Sequence, residues 1–101
     1  MRMWKVDVTK MCRKHLLGEH VEMHMFFGTI KKGKSLRGYV EKGLIETRHI
    51  KKRHEQLANE LVRRGYKHKS NMENFSVKIE GKVDIEKNTQ ELRRRCTSCR
   101  F

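Results

Sequence analysis

A chain of 101 residues holds one domain with a small core, which excludes a multidomain enzyme. With 25 Lys and Arg against 12 Asp and Glu, its formal net charge of +13 is the footprint of a polyanion binder, and nucleic acid is the commonest polyanion. No apolar run approaches the roughly 18 residues of a membrane span or the length of a signal peptide, and three cysteines fit a reducing compartment better than a disulfide scaffold.

The expectation is therefore an intracellular protein (cytoplasm or nucleoid, or the host cell if viral) with no membrane partner. Charged residues make up 37% and hydrophobic ones 36%, so the core should be thin.

In chain order, Trp4 to Val8 alternates apolar and polar residues, as a short extended segment would. Thr9 is placed to cap a helix running to about Phe27, with Gly28 as its C-terminal stop. At about 100° per residue, His15, Gly18, Glu19, Glu22 and Phe26 share one face of this helix, and Cys12, Leu16, Met23 and Phe27 form an apolar stripe beside it. The plain reading of Glu19 and Glu22 is two solvated acids; their company of histidines in a cationic chain marks them as a candidate site.

Glycines at 28, 33, 38 and 43 predict a largely irregular segment over 28–43. It reads either as a mobile loop or as a phosphate-contacting loop using Lys31, Lys32, Lys34 and Arg37. A second helix is predicted over 47–64, with Ile50, His54, Leu57, Ala58 and Leu61 on its apolar stripe, Gly65 as its cap, and Lys51, Lys52, Arg63 and Arg64 on the basic outer face. Val77 to Val83 is compatible with an extended stretch, and Asp84 caps a last helix from Ile85 to about Arg95.

Cys96-Thr-Ser-Cys99 has the spacing of half a zinc site, but zinc takes four ligands, so the pair is a weak candidate unless Cys12 or a histidine joins it. His20 and His24 lie one helical turn apart without an obvious third ligand. No metal or other cofactor is expected. Local signatures of Ser or Cys nucleophiles are lacking. An α-amine is the remaining nucleophile, because its ordinary pKa of about 7.7–8.0 leaves a useful neutral fraction where a lysine, near about 10.4, does not.

Three blocks carry a family resemblance: His15-Leu-x-x-Glu19-x-x-Glu22 followed by Phe27-Gly28, then Lys52-Arg53-x-x-x-Leu57-x-x-Glu60, then Arg64-Gly65-Tyr66. In order and spacing the chain resembles the pyrimidine-dimer DNA glycosylase/AP lyases of the phage endonuclease V type over roughly residues 1–68. The resemblance implies a compact, mostly helical fold, an N-terminal amine that attacks the sugar C1′, and a catalytic glutamate that carries over to Glu22, 21 positions after Met1. It departs where the family places arginines, at Val21 and Met25, and in lacking the family's aromatic C-terminal segment.

The expected architecture is a mainly α, small single-domain helical fold with an irregular basic glycine-containing loop. Residues 1–69 form the endonuclease V-like catalytic core, and 70–101 a C-terminal extension of the same domain with a short helix and the C-x-x-C tail. The expected activity is DNA repair by a glycosylase/AP lyase. Met1 and Glu22 are catalytic, His15 and Glu19 orient the site, and Arg2, Lys31, Lys32, Lys34, Arg37, Lys51, Lys52, Arg63 and Arg64 bind double-stranded DNA, the protein acting as a monomer. The alternatives are a non-catalytic nucleic-acid-binding protein on the same scaffold and a small zinc-binding adaptor.

Overall fold

The computed structural model describes residues 1–68 and 70–101, so the domain boundary expected at 69 touches a position outside the described residues. Four helices follow one another: α1 (Arg13–Lys31), α2 (Arg37–Glu41), α3 (Ile50–Arg63) and α4 (Ile85–Arg95), with 3-10 turns at Val8–Lys10 and Thr47–His49 leading into α1 and α3. Among the described residues there is no strand, and the molecule is the small, mainly α domain that the sequence predicts. It is a slab of 36 × 30 × 15 Å, thin as the composition requires.

α1 and α3 form the largest helix pair. α1 buries Leu16, Glu19, His20, Met23 and Phe26, a stripe at helical spacing; α3 buries Ile50, Arg53, His54, Leu57, Ala58, Glu60 and Leu61, which includes the whole apolar stripe expected for it. Polar groups enter both faces, so the seam between the helices is only partly apolar.

The predicted helix over 10–27 is displaced at both ends. Asp7 accepts from the Thr9 backbone N–H (3.0 Å) and hydroxyl (2.7 Å), which closes the 3-10 turn and takes the Thr9 hydroxyl away from capping; α1 starts after Cys12 instead. At the other end the helix runs through Gly28 to Lys31, because Phe27 and Ile30 still pack against the core. Gly33, at φ +70°, then takes the left-handed position, its N–H bonded to the Ile30 carbonyl. The segment 28–43 is accordingly less irregular than expected, holding the end of α1 and the short α2.

Asp84 caps α4 as predicted, accepting from the Lys87 N–H at 3.0 Å. The N-terminal segment is not extended throughout as its alternation suggests: Met3, Trp4 and Val6 are all buried, Lys5 between them takes φ +57°, and Val8 opens a 3-10 turn. Residues 77–83, compatible with an extended stretch in the sequence, join no strand pairing among the described residues; they are tied to the rest through Thr47, which exchanges backbone and hydroxyl bonds of 2.7–3.1 Å with Lys78 and Glu80.

Glu46 gathers three parts of the chain. Its carboxylate accepts from Lys5 Nζ (2.7 Å), the Val83 N–H (2.8 Å) and His49 Nδ1 (2.7 Å). Burial by itself pushes this carboxyl up, but the bonds from Lys5, Val83 and His49 outweigh it and hold it at about 2. Glu60, hydrogen-bonded by Arg63 and Arg64 against a smaller burial effect, also sits at about 2.

Both carboxyls are depressed in the fold, so their stabilisation is complete above the ordinary value of 4.5 and is lost as pH falls toward about 2. Denaturant titrations at a series of acid pH values should show stability falling through this window, and less steeply in Glu46→Gln. Gly81 gives a backbone test: at φ +87°, an added Cβ would stand 2.1 Å from the Ile45 carbonyl oxygen. Gly81→Ala should cost more than about 1 kcal/mol in an unfolding titration.

Candidate active site and nucleic-acid-binding surface

The N-terminal segment lies across α1, and the first two carboxylates it meets are Glu19 and Glu22. Glu19, 1% exposed, is wholly internal. Arg53 from α3 grips it with two bonds, Nε to Oε2 at 2.6 Å and Nη2 to Oε1 at 2.9 Å, and the Trp4 N–H donates to Oε2 at 3.1 Å. Arg53 also donates to the Val6 carbonyl at 2.9 Å. This fork ties both helices to Trp4 and Val6, so the reading of Glu19 as a solvated acid fails.

One turn further, Glu22 receives the start of the chain. Its Oε1 lies 3.7 Å from the Met1 amine and accepts from the Arg2 N–H at 3.3 Å. The carboxylate is half-buried, and that burial raises its pKa above the usual carboxylate value, with the terminal ammonium and the Arg2 N–H opposing. An amine and a partly desolvated carboxylate thus face each other at the slab's surface, the arrangement needed for nucleophilic attack with local proton transfer.

Arg2, expected on DNA, is instead drawn inward. Its guanidinium lies 3.8 Å over the Trp4 ring and donates to Asn88 Oδ1 at 2.6 Å, while Asn88 donates to the Trp4 carbonyl at 2.9 Å. Asn88 brings α4 onto the N-terminal segment. Nothing in the sequence pattern marks Asn88 as site-supporting, and the motif that contains Arg53 does not say that it binds Glu19; only the fold joins them.

His15, expected to orient the site, lies against Trp4 and the cysteines. Its ring stands edge-on to Trp4 at 6.3 Å, and its Nδ1 is 3.2 Å from Cys12 Sγ and 3.5 Å from Cys99 Sγ. His20 and His24, short of a third ligand in the sequence, acquire His54 and His68 in the fold: the donor atoms of His20, His54 and His68 lie within 4.8 Å of one another. Burial, then the neighbouring imidazoles, lowers the His20 pKa to about 4, and its Nε2 is 2.8 Å from that of His68.

The basic residues expected on DNA divide into two sets. Lys32, Lys34 and Lys52 are exposed with no ion-pair partner among the described residues, whereas Lys31 pairs with Glu73 and Arg37 with Glu41 on the open surface. Lys51 is bonded to Asn74. Arg63 and Arg64 both bond to Glu60, and with Arg100 they line a cleft of about 310 Å³. A second cleft, about 190 Å³, is lined by Arg2, Lys42, Lys82 and Lys87, placing three cations not singled out in the sequence beside the residue that follows Met1.

The Glu19–Arg53 pair should be expensive to break. Arg53→Met leaves a buried carboxylate facing only backbone donors, and a loss of about 3–5 kcal/mol is expected in chemical denaturation. Glu19→Gln combined with Arg53→Met should recover part of that loss, since no uncompensated charge remains.

No curated protein and no solved structure matches this chain. The profile of the pyrimidine dimer DNA glycosylases matches residues 1–74, which take in the N-terminal segment, both glutamates and the whole of α3. The chain belongs to the pyrimidine dimer DNA glycosylase family.

Proposed function

We propose that the protein is a DNA glycosylase/AP lyase that cuts damaged double-stranded DNA through an imine on the Met1 amine, with Glu22 as its catalytic carboxylate. The observation that carries this reading is the 3.7 Å approach of the amine to a half-buried carboxylate, within a family whose members excise damaged bases. His15 is not part of the proposed chemistry, and Glu19 acts by holding the segment that bears the amine.

The steps balance with these two groups. The neutral amine forms a bond to C1′ as the bond from C1′ to the base, or to the hydroxyl of an abasic site, breaks and the leaving group takes its electron pair and a proton. Opening of the sugar ring gives a protonated imine. Removal of a C2′ proton then expels the 3′ phosphate, and water releases the protein. Glu22 as carboxylate stabilises the cationic sugar and imine and accepts protons from nitrogen and C2′. Positioning of the duplex falls to Lys32, Lys34, Lys52 and the cleft cations Lys42, Lys82 and Lys87; reaching C1′ requires the damaged nucleotide to leave the stack.

Val21 and Met25, where the family resemblance implies arginines, flank Glu22 in sequence and are more than half exposed. Without those charges, contacts to the lesion strand weaken more than the chemistry does. Abasic DNA is therefore the substrate of choice for a first assay.

Sodium borohydride added to protein and abasic duplex should trap a covalent adduct whose peptide map begins at Met1. Glu22→Gln should bind DNA but react roughly 10²–10³-fold more slowly, about 3–4 kcal/mol in transition-state stabilisation. Both the amine and Glu22 must be deprotonated, so the log rate in single turnover should steepen as pH falls past the Glu22 pKa, at a pH above the ordinary 4.5. An adduct on an internal lysine would overturn Met1 as the nucleophile, and no adduct with abasic or irradiated DNA leaves the non-catalytic binder. Such a binder would still show affinity falling with salt at a log–log slope of about −0.9 per neutralised phosphate.

A further inference from the structure

Cys12 is the N-cap residue of α1 and His15 lies in its first turn; Cys96 follows the last residue of α4 and Cys99 lies in the tail beyond it. The fold brings these two short pairs, a C-x-x-H and a C-x-x-C separated by 84 positions between Cys12 and Cys96, into one cluster. All four donor atoms lie within 4.8 Å of one another. The individual separations are 3.2 Å from Cys12 Sγ to His15 Nδ1, 3.5 Å from Cys99 Sγ to His15 Nδ1, and 3.9 Å from Cys12 Sγ to Cys96 Sγ.

A tetrahedron with Zn–S near 2.3 Å and Zn–N near 2.0–2.1 Å has edges of roughly 3.5–3.8 Å. The separations of 3.2, 3.5 and 3.9 Å bracket that range, and the 3.9 Å between the Cys12 and Cys96 sulfurs is far longer than the roughly 2.05 Å of a disulfide bond.

From this geometry we propose that Cys12, His15, Cys96 and Cys99 are the four ligands of a structural zinc ion that clamps the C-terminal tail to the N-terminus of α1. Four protein ligands close the coordination sphere, the mark of a structural rather than a catalytic site. Supporting contacts are already in place. The Cys12 N–H points at Cys99 Sγ (3.2 Å), and the Arg100 N–H donates to the Lys10 carbonyl (2.7 Å), fixing the tail in register beside the turn that precedes α1. Three thiolates and a neutral imidazole around Zn²⁺ leave one net negative charge, and Lys10, Arg13, Lys14, Arg95 and Arg100 are near neighbours of the ligands in sequence to balance it.

The three-histidine cluster of His20, His54 and His68 is the competing metal site. It offers imidazoles alone, and the mutual 2.8 Å contact of His20 and His68 already satisfies one nitrogen of each ring. Thiolate ligands give the first cluster the stronger claim on zinc.

What the ion would hold is the end of α4. That helix contributes Leu92 to the core and Asn88 to the Trp4 carbonyl. Two of the four ligands, Cys96 and Cys99, lie beyond the family match at 1–74. The clamp is thus a device of this chain's C-terminal extension, and it stands whether or not Met1 is a nucleophile.

Protein purified under reducing conditions without chelator should carry about one zinc per chain by elemental analysis, retained through dialysis. Cobalt exchanged for that zinc should show sulfur-to-metal charge-transfer absorption in the near ultraviolet and strong tetrahedral bands in the visible. Zinc content should fall at least tenfold in Cys96→Ser and in Cys99→Ser, and remain unchanged in His68→Asn. Because a cysteine variant can fail to fold, the wild type supplies its own control: all three thiols should react slowly with a disulfide reagent and become reactive together when chelator removes the metal. Cobalt spectra without sulfur charge transfer would move the metal to the histidine cluster and overturn the proposal. So would reduced, zinc-supplemented protein that holds no zinc, or an intact mass showing two cysteines joined by loss of their hydrogens.

Discussion

The ion pair between Glu19 and Arg53 is the constraint on which the remainder of the fold depends. In a slab 15 Å thick there is too little apolar depth to position an N-terminal segment by burial alone. A carboxylate from α1 and a guanidinium from α3 do it instead, accepting from Trp4 and donating to Val6 as they bind each other. Desolvating two charges is costly, and the geometry offsets it by using both oxygens of Glu19 and three nitrogens of Arg53. The helix pair and the path of the N-terminus are therefore set by the same four groups. Loosening either helix moves the amine.

That arrangement explains why two neighbouring glutamates on one helix have opposite characters. Glu19 is internal and saturated with donors, so it is locked as a structural anion. Among the described residues Glu22, a turn later, meets the weak approach of the amine and one backbone N–H, both at Oε1. Burial without full compensation keeps its proton affinity high, a property suited to proton traffic more than to structure. The pattern Glu-x-x-Glu places the pair on one face but says nothing about which member is which; the difference comes from Arg53, reached only through tertiary packing.

Legibility in the sequence follows the range of the interactions concerned. α3 and α4 are readable because the apolar stripe of the one and the Asp84 cap of the other are local signals. The limits of α1 are not, since four evenly spaced glycines offer four possible stops and only the packing of Phe27 and Ile30 decides that Gly33 is the one used. The extended reading of residues 4–8 fails for a similar reason: Lys5 adopts a left-handed conformation held by Glu46 and the Glu19 carboxylate, both distant in sequence. In the candidate site, Met1 and Glu22 were reachable through family spacing. The motif that contains Arg53 does not name its partner, and Asn88 carries no signal at all; for Cys96 and Cys99 the sequence offers Cys12 or any histidine as company, and only the fold selects Cys12 and His15, because ligands from opposite ends of the chain leave no local spacing to read.

Trp4 is the chain's single tryptophan. The residue is 5% exposed, its indole covered by the Arg2 guanidinium, approached by Arg95 from α4 and met edge-on by His15. Cations and an imidazole packed on an indole alter its emission, so the protein carries a built-in fluorophore at the point where the N-terminal segment, α1 and α4 converge. Its neighbours report on separate events: Arg2 on the seating of the terminus at Glu22, His15 on the thiol cluster, Arg95 on the docking of α4. A change in any of these would register in one optical signal, from a residue that needs no label and lies outside the reacting atoms.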